Sequence, residues 1–401
     1  MTNKLYDFDQ PLVRKGSDCV KHDGLKHFFG RDDLLPMWVA DMDFRSPDFV
    51  IQALRNRLDH EVLGYHYPSQ SYCDAVQGWL AKHYNISSSI DELHFIPGIV
   101  AGISFAIQAF TKPGDGVLVT TPVYPPFVDI PSSTGRRLVK CPLVVENADG
   151  CNTGYVFRID FDAFERCARE CKLFVLSNPH NPGGTVWQDG DLCRIADICK
   201  RNGLIVISDE IHADLTLPGF HHTSFPALSY TAADISILFM APSKTFNIAG
   251  LGSSVSYVHN PELRKRFYSY LDNYGVAGGN IFAFIGAEAA LRHGEDWLRQ
   301  LLRYLEGNVS LTRTFLNDKL PRIKAVLPQA SYLVWLGFSD YGLSHDEIRS
   351  RLHDRAQLAL NDGLAFGGSD YGNCFRLNIG CPRSTLLQAL EKIKSAFDGN
   401  E

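Results

Sequence analysis

Short apolar runs alternate with amphipathic segments of helical length between about residues 46 and 290. Seven runs of strand length are each bounded by turn residues: 93–96, 116–120, 136–143, 173–177, 204–208, 235–239 and 252–258. These runs are continuously apolar and helical segments fill most of the gaps, which predicts a sheet buried on both faces and therefore mostly parallel. We expect an α/β fold in this part of the chain.

Two serines mark the expected starts of the first helices in this region. Ser46 precedes Pro47, and we expect it to cap a helix that runs to about His60. Ser69 is expected to cap a second amphipathic helix that ends near Tyr84.

The pattern changes after about residue 290. A long helical stretch over 295–319 is followed by short strands and helices that are more segregated, and then by a final helix over 383–397. We therefore predict a large domain over 46–289 and a smaller α+β domain formed by 1–45 and 290–401. The first 45 residues have little periodicity and are expected to wrap onto the smaller domain or onto a partner.

Composition and charge exclude several classes of protein. The chain has 401 residues, a net charge of −6 and 45% hydrophobic residues, which is typical of a folded protein and gives no basic surface for nucleic acid. The longest apolar stretches, 99–110 and 281–291, are too short to span a membrane. The first residues lack the apolar core of a signal peptide, and ten cysteines do not form a disulfide framework. We expect a cytoplasmic protein.

The sequence predicts no metal site and no nucleotide fold. Cys167 and Cys171 would share a helix face if 160–171 were helical, but no second ligand pair follows at zinc spacing. His221 and His222 are interpreted as a solvated pair in a loop. The glycine-rich signatures of nicotinamide and P-loop proteins and the GxSxG elbow are absent.

Three apolar strands end in unusual polar residues. The first runs into the rigid turn 178–184, the second ends at Asp209, and Lys244 follows the third. Taken singly, these could be a tight turn, a helix cap and a surface lysine. Taken together, they suit pyridoxal 5′-phosphate, because a lysine in apolar surroundings forms an imine readily and a carboxylate can keep the pyridine nitrogen protonated.

These segments resemble a known family. NPHNPGG (178–184), SDEIH (208–212) and APSKTFNIAGL (241–251) resemble the class I/II aminotransferases, which have fold type I of the pyridoxal-phosphate enzymes. MWVADMDF (37–44), GYHYP (64–68) and FRLNIGCPRS (375–384) resemble the cystathionine β-lyase branch, the C–S lyases. The resemblance covers almost the whole chain and implies a mostly parallel central sheet in a large domain plus a smaller α+β domain.

The resemblance implies roles for five residues around the cofactor ring. Lys244 would bond the cofactor and remove the substrate Cα proton, and Asp209 would pair with the ring nitrogen. Asn181 would hydrogen-bond the 3-oxygen of the ring and lie against the substrate, while His212 could serve the same oxygen. Tyr124, in TPVYPPF, would stack on the ring.

The resemblance also implies how the phosphate and the substrate are held. The phosphate would sit on the N-terminus of a helix, with help from a hydroxyl and from a tyrosine of a neighbouring subunit, which implies a homodimer: Gly98, Ile99, Val100, Ser243 and Tyr65. Arg376 would clamp the substrate α-carboxylate, with Val39 and Ala40 closing over it and Tyr65 nearby. Many relatives carry an arginine eight residues after the lysine to neutralise the phosphate, whereas this chain has Gly252.

We therefore expect a C–S lyase of the cystathionine β-lyase type. It would perform β-elimination on L-cystathionine, L-cysteine or a related thioether amino acid and release pyruvate, ammonia and a thiol. The enzyme alternative is an aminotransferase of neutral or aromatic amino acids, which would need an added keto acid for turnover. A third alternative is a regulatory protein that keeps pyridoxal phosphate as a structural ligand.

Overall fold

The computed structural model describes residues 4–147, 150–276 and 278–397. Its strands are β1 (Leu35–Pro36), β2 (Leu93–Ile96), β3 (Gly116–Thr121), β4 (Arg137–Pro142), β5 (Val144–Asn147), β6 (Tyr155–Arg158), β7 (Cys171–Ser177), β8 (Ile205–Asp209), β9 (Ser236–Met240), β10 (Ser254–Tyr257), β11 (Lys324–Val326), β12 (Leu333–Gly337), β13 (Leu358–Ala359), β14 (Asn361–Asp362) and β15 (Cys374–Asn378).

The α-helices surround two sheets. They are α1 (Val20–Asp23), α2 (Leu25–Phe29), α3 (Asp48–Leu58), α4 (Gln70–Tyr84), α5 (Ile99–Phe110), α6 (Pro125–Ser133), α7 (Phe161–Ala168), α8 (Asp189–Asn202), α9 (Phe225–Leu228), α10 (Tyr230–Asp234), α11 (Pro242–Thr245), α12 (Pro261–Asn273), α13 (Ile281–His293), α14 (Glu295–Lys319), α15 (His345–Ser350) and α16 (Arg383–Phe397). A π-helical turn follows α15 over Arg351–Arg355, and 3₁₀ turns lie at Ile90–Glu92, Ala213–Leu215, Ala249–Leu251, Ser339–Tyr341, Gly363–Phe366 and Ser369–Tyr371.

The larger sheet confirms the predicted mostly parallel arrangement. Within the described residues it has seven strands in the order β2-β10-β9-β8-β7-β3-β4. Strand β10 is antiparallel to both of its neighbours, and the remaining strands run in one direction. The carboxyl ends of β2, β3, β7, β8 and β9 therefore meet at one edge, where ligands bind in open α/β sheets.

The apolar runs pack on both faces of this sheet. Val117 and Val119 of β3 pack with α5, whereas Leu118 between them packs with α8 on the other side. Successive side chains of a strand point to opposite faces, so a strand buried on both sides must be apolar throughout. This is why the strands could be found as continuous apolar runs.

The second sheet has the order β14-β15-β12-β11-β6-β5 in the described chain and is mixed. Strands β5 and β6 join it from the region before residue 290, because β6 pairs with β11. The N-terminal segment also reaches this side of the molecule, where β1 pairs with β13. The polypeptide thus crosses between the two sheets more than once.

Several local predictions can be compared with the structure. The helix over 295–319 and the final helix over 383–397 are confirmed, and Ser69 caps α4 by accepting a hydrogen bond from the Tyr72 amide at 3.1 Å. The predicted cap at Ser46 is wrong, because Pro47 holds the N-cap position and the Ser46 hydroxyl donates to the Asn247 carbonyl instead.

The structure also answers two questions raised by the sequence. Cys167 lies in α7, which ends at Ala168, while Cys171 begins β7, so the two thiols do not share a helix face. Throughout 4–147, 150–276 and 278–397, no three His, Cys, Asp or Glu side chains gather as metal ligands. In the same ranges, no helix is long and apolar enough to cross a membrane.

Candidate active site

A cavity of about 430 Å³ lies at the carboxyl edge of the larger sheet. Ten of the residues singled out in the sequence line it: Ala40, Gly98, Ile99, Val100, Tyr124, Asn181, Asp209, His212, Ser243 and Lys244. Nine of them lie at or just beyond the carboxyl ends of five strands of the larger sheet, whose common direction brings them to one place, whereas Ala40 follows β1. The three polar strand ends that suggested a site are therefore adjacent in space.

Lys244 projects from the short helix α11 into this cavity. Its ammonium donates to the Ala40 carbonyl at 2.7 Å, so the segment 38–44 supplies its partner. Burial lowers the pKa of Lys244 to about 8, although the carboxylates of Asp41 and Asp209 act in the opposite direction. A lysine of this kind is a better nucleophile at neutral pH than a solvated one.

Asp209 is a buried carboxyl at the end of β8. One of its oxygens accepts a hydrogen bond from the Ile211 amide at 3.1 Å. Burial raises the pKa of Asp209 to about 7, and Glu210 adds to the rise, while Lys244 opposes it. A carboxyl in such a setting is stabilised as an anion by a cation placed beside it.

The N-terminus of α5 forms the wall next to β2. Gly98 holds the N-cap position with φ +108°, and a Cβ at this residue would meet no atom within 4 Å in the described chain. Because the first amides of a helix have no intrahelical acceptor, those of Ile99 and Val100 are available to an anion. The hydroxyl-bearing residues Ser243, Ser253 and Ser254 line the same cavity.

Arg376 lies buried directly behind Asn181. Its guanidinium donates to Asn181 Oδ1 at 2.9 Å, to Asn361 Oδ1 at 2.6 Å and to the Trp38 carbonyl at 3.3 Å. Its Nε has no hydrogen-bond partner among the described residues. Burial lowers the pKa of Arg376 to about 10, so the group remains a cation at neutral pH.

Two other predicted residues lie outside this cavity. Val39 lines an adjoining, larger cleft that also contains Ala40 and Lys244. Tyr65 is fully exposed on the extended segment between α3 and α4, together with its neighbours Val62, Leu63 and Tyr67. One chain on its own therefore does not bring Tyr65 to the cavity.

His212 lines the cavity, and the ring of Tyr332 lies edge-on against it. His212 is buried, its Nδ1 has no partner within the described residues, and burial lowers its pKa to about 3, so its ring is neutral. The Tyr332 hydroxyl donates to the Ala40 carbonyl at 3.0 Å, the same oxygen that Lys244 contacts. A neutral imidazole can donate or accept a hydrogen bond with the nitrogen left free.

A family model for the aminotransferases of class I and II matches residues 33–393. The curated relative "Cystathionine beta-lyase PatB" of Bacillus subtilis is 42% identical over 393 residues, which is 98% of this chain and all of that protein. The chain belongs to the class I and II aminotransferase family. Its similarity to PatB places it beside the cystathionine β-lyases, as the sequence motifs predicted.

Two solved structures resemble the chain over nearly its full length. Cystalysin from Treponema denticola, which contains pyridoxal 5′-phosphate, has a TM-score of 0.92, with 32% identity over 98% of this chain and 99% of that one. The pyridoxal-phosphate-bound C–S lyase from Staphylococcus hominis has a TM-score of 0.90, with 31% identity over 99% of each chain. The predicted fold type I is confirmed.

Sequence reasoning missed several residues that shape this aminotransferase-type site. Ser253, Tyr332, Asn361 and Asn378 were not singled out, although each contacts or lines it. Asn378 could have been found, because it lies two residues after Arg376 on the same strand and therefore faces the same side. The interpretation of His222 as solvated was wrong, because its ring is buried against Glu210.

Proposed function

We propose that this protein is a pyridoxal-5′-phosphate-dependent C–S lyase. It cleaves L-cystathionine, L-cysteine or a related thioether amino acid by β-elimination and releases pyruvate, ammonia and a thiol. The observation that carries this reaction, rather than transamination, is the 42% identity to the Bacillus subtilis cystathionine β-lyase over the full length of both proteins.

The residues of the cavity fit this cofactor in charge and shape. The carboxyl of Asp209, the orphaned His212 Nδ1 and the ring of Tyr124 surround the space for a flat, cationic heterocycle. The open position beside Gly98 leaves room for a phosphate at the amides of α5. Phosphate charge is balanced by that helix and by the hydroxyls of Ser243 and Ser253, since Gly252 cannot supply a cation.

Pyridoxal phosphate, when bound, withdraws electrons from the substrate Cα–H bond, and the protein supplies the proton transfers and the positioning. Lys244 Nζ takes the Cα proton, because burial keeps a usable fraction of this amine neutral. Asp209, which lines the cavity, would hold the ring nitrogen of the bound cofactor in its protonated form. Lys244 Nζ can then return a proton to the departing sulfur.

Arg376 and the segment 38–44 position the substrate. The guanidinium would bind the α-carboxylate through a two-pronged contact, and Asn181, which accepts a hydrogen bond from Arg376, would lie beside the ring. Val39 and Ala40 cover the carboxylate and exclude water from the reacting carbon. Because the Ala40 carbonyl accepts from Lys244, the same segment also orients the base.

The functional unit is a homodimer in the cytoplasm. Tyr65 is fully exposed in one chain, and its exposed apolar neighbours Val62, Leu63 and Tyr67 suit a subunit interface. Across that interface Tyr65 reaches the phosphate of the partner. The buried free thiols Cys141, Cys199 and Cys381 are typical of a reducing compartment.

The experiment that tests this function measures pyruvate and free thiol released from L-cystathionine without added keto acid. We expect steady release of both in equal amounts, and loss of release in the Lys244→Ala variant. Turnover that appears only after 2-oxoglutarate is added would mean that the protein is an aminotransferase. A Lys244→Ala protein that keeps its biological effect would favour the regulatory alternative.

A further inference from the structure

Glu210 is a buried carboxylate one residue beyond Asp209. Three groups donate to its Oε1: the Ser208 hydroxyl at 2.8 Å, the Phe225 amide at 2.8 Å and the Asn178 side chain at 3.4 Å. The fourth donor is His222 Nε2, which lies 3.0 Å from Oε2. A buried carboxylate is tolerated only when donors or cations compensate the loss of water, and this one is surrounded by them.

Glu210 and Asp209 point away from each other. Asp209 lines the cofactor cavity, while Glu210 lies behind it, as alternation along an extended chain requires. The contacts of Glu210 therefore hold the strand end that presents Asp209 without touching the cofactor or the substrate.

The same carboxylate also holds the neighbouring strand end. Asn178, which donates to Glu210 through its side chain, has its own amide bonded to the Asp209 carbonyl at 2.9 Å. Asn178 begins the turn that carries Asn181, the residue against the ring and Arg376. One buried carboxylate thus links the two loops that present Asp209 and Asn181.

We infer that Glu210 and His222 form a positioning pair that fixes Asp209 and Asn181 against the cofactor ring. The inference rests on the proposed use of pyridoxal phosphate. His222 is needed because it is the donor to Oε2, while the other three donors share Oε1. Without it, a buried carboxylate oxygen loses its partner, and the strand end rearranges so that this oxygen can reach water.

His221 provides a matched control in the same loop. The His222 side chain is 5% exposed and pairs with Glu210, whereas His221 is exposed. Both line an outer cavity of about 360 Å³, whose walls share no residue with those of the cofactor cavity. If substitutions act by disturbing the loop in general, those at His221 and His222 should both alter cofactor binding. If they act through Glu210, only those at His222 should do so.

The test compares substitutions of His222 whose side chains differ in length. Gln places its amide near the position of His Nε2, whereas Asn is one methylene shorter and falls short of Oε2. The protein is freed of cofactor and titrated with pyridoxal phosphate, and both the dissociation constant and the visible absorbance band of the bound cofactor are recorded.

We expect His222→Asn to raise the dissociation constant about tenfold and to shift the absorbance band, the effect of losing a hydrogen bond to a charged group. The dissociation constant of His222→Gln should stay within about twofold of the wild-type value, and that of His221→Asn should equal the wild-type value. In the lyase assay, His222→Asn should lower kcat more than it changes KM, because Arg376 keeps its contacts with Asn361 and the Trp38 carbonyl.

Equal behaviour of His222→Asn and His222→Gln would overturn the inference, since packing alone would then explain both. So would wild-type cofactor affinity and absorbance in His222→Asn. A wild-type protein that does not bind pyridoxal phosphate would overturn the proposed function and this inference together. If the wild-type protein binds pyridoxal phosphate and His222→Asn binds it with the same affinity and absorbance, the inference alone would be overturned.

Discussion

Lys244 is a lysine whose surroundings disfavour its charge. Desolvation is the largest effect on its pKa, and the guanidinium of Arg376 acts in the same direction. The carboxylates of Asp41 and Asp209 oppose both, so the pKa settles at about 8 instead of 10.5. With such a pKa, about one amine in ten is neutral at pH 7, far more than for a solvated lysine.

This pKa predicts the pH dependence of cofactor attachment. Only the neutral amine attacks the aldehyde, and the neutral fraction grows as pH rises through the pKa. The rate at which cofactor-free protein attaches pyridoxal phosphate should therefore increase with pH around a midpoint near 8, as followed by visible absorbance. Asp41→Asn should move the midpoint lower, because Asp41 raises the pKa of Lys244; a midpoint near 10.5 would contradict the account.

Which single residues could be predicted depended on where the chain places its polar groups. Asp209 and Lys244 each follow a continuously apolar strand, so their position at the sheet edge followed from the pattern alone. Tyr332 directly precedes β12 of the second sheet, so its approach to the site depends on packing between the two sheets. Local sequence patterns do not predict contacts of this kind. The roles of the predicted site residues remain predictions, which the variants proposed above would test.

At the scale of elements, the segment 38–44 is a strip of irregular backbone held by asparagine side chains. Asn247 donates to the carbonyls of Met42 and Phe44 at 2.9 and 2.8 Å and accepts from the Met42 amide at 3.0 Å. Asn378 donates to the carbonyls of Val39 and Asp41 at 2.6 and 2.7 Å. The side chains of the two asparagines satisfy backbone hydrogen-bonding groups of this strip, as neighbouring strands do in a sheet.

Asn247→Ala should loosen this strip. The variant loses three hydrogen bonds and also places alanine at a residue with φ +54°, so we expect about 2–3 kcal/mol lower stability in urea unfolding. The KM for L-cystathionine should rise, because Val39 and Ala40 no longer cover the substrate firmly. Asn247→Gly keeps the left-handed backbone without strain and isolates the loss of the side chain. An unchanged KM in both variants would show that the strip does not position the substrate.

The N-termini of α3 and α4 show where a local sequence pattern predicts helix capping and where it does not. Ser69 caps α4 as its sequence context predicts, since its side chain accepts from the amide three residues on. Ser46 is also a serine at an expected helix start, before a proline. Its hydroxyl nevertheless donates to the Asn247 carbonyl, which is distant in the chain. The difference lies in tertiary structure, which a capping rule does not contain.

At the scale of the whole molecule, the proposed role of Tyr65 would require a second copy of the chain. Lys244 lies in the cavity of its own chain, whereas Tyr65 is exposed and does not line that cavity. A dimer that places Tyr65 at the partner's phosphate would contain two sites, each built from both subunits.

Mixed dimers test this arrangement. Lys244→Ala and Tyr65→Ala proteins should each have low activity, and unfolding and refolding them together should restore about a quarter of wild-type activity. In the mixed dimer, the chain with an intact Lys244 receives an intact Tyr65 from its partner, so one site works. Wild-type protein taken through the same treatment is the control. No recovery on mixing, with dimers re-formed, would mean that Tyr65 does not act across an interface.

The strip over 38–44 also sets an order of events during synthesis. It leaves the ribosome early, but its partners arrive late: Lys244 and Asn247 follow some 200 residues afterwards, and Tyr332 and Asn378 some 290 to 340 afterwards. A nascent chain that already carries the reactive lysine therefore still lacks the groups that shape its surroundings. The surroundings of Lys244 therefore reach their final form only once β15 has been synthesised.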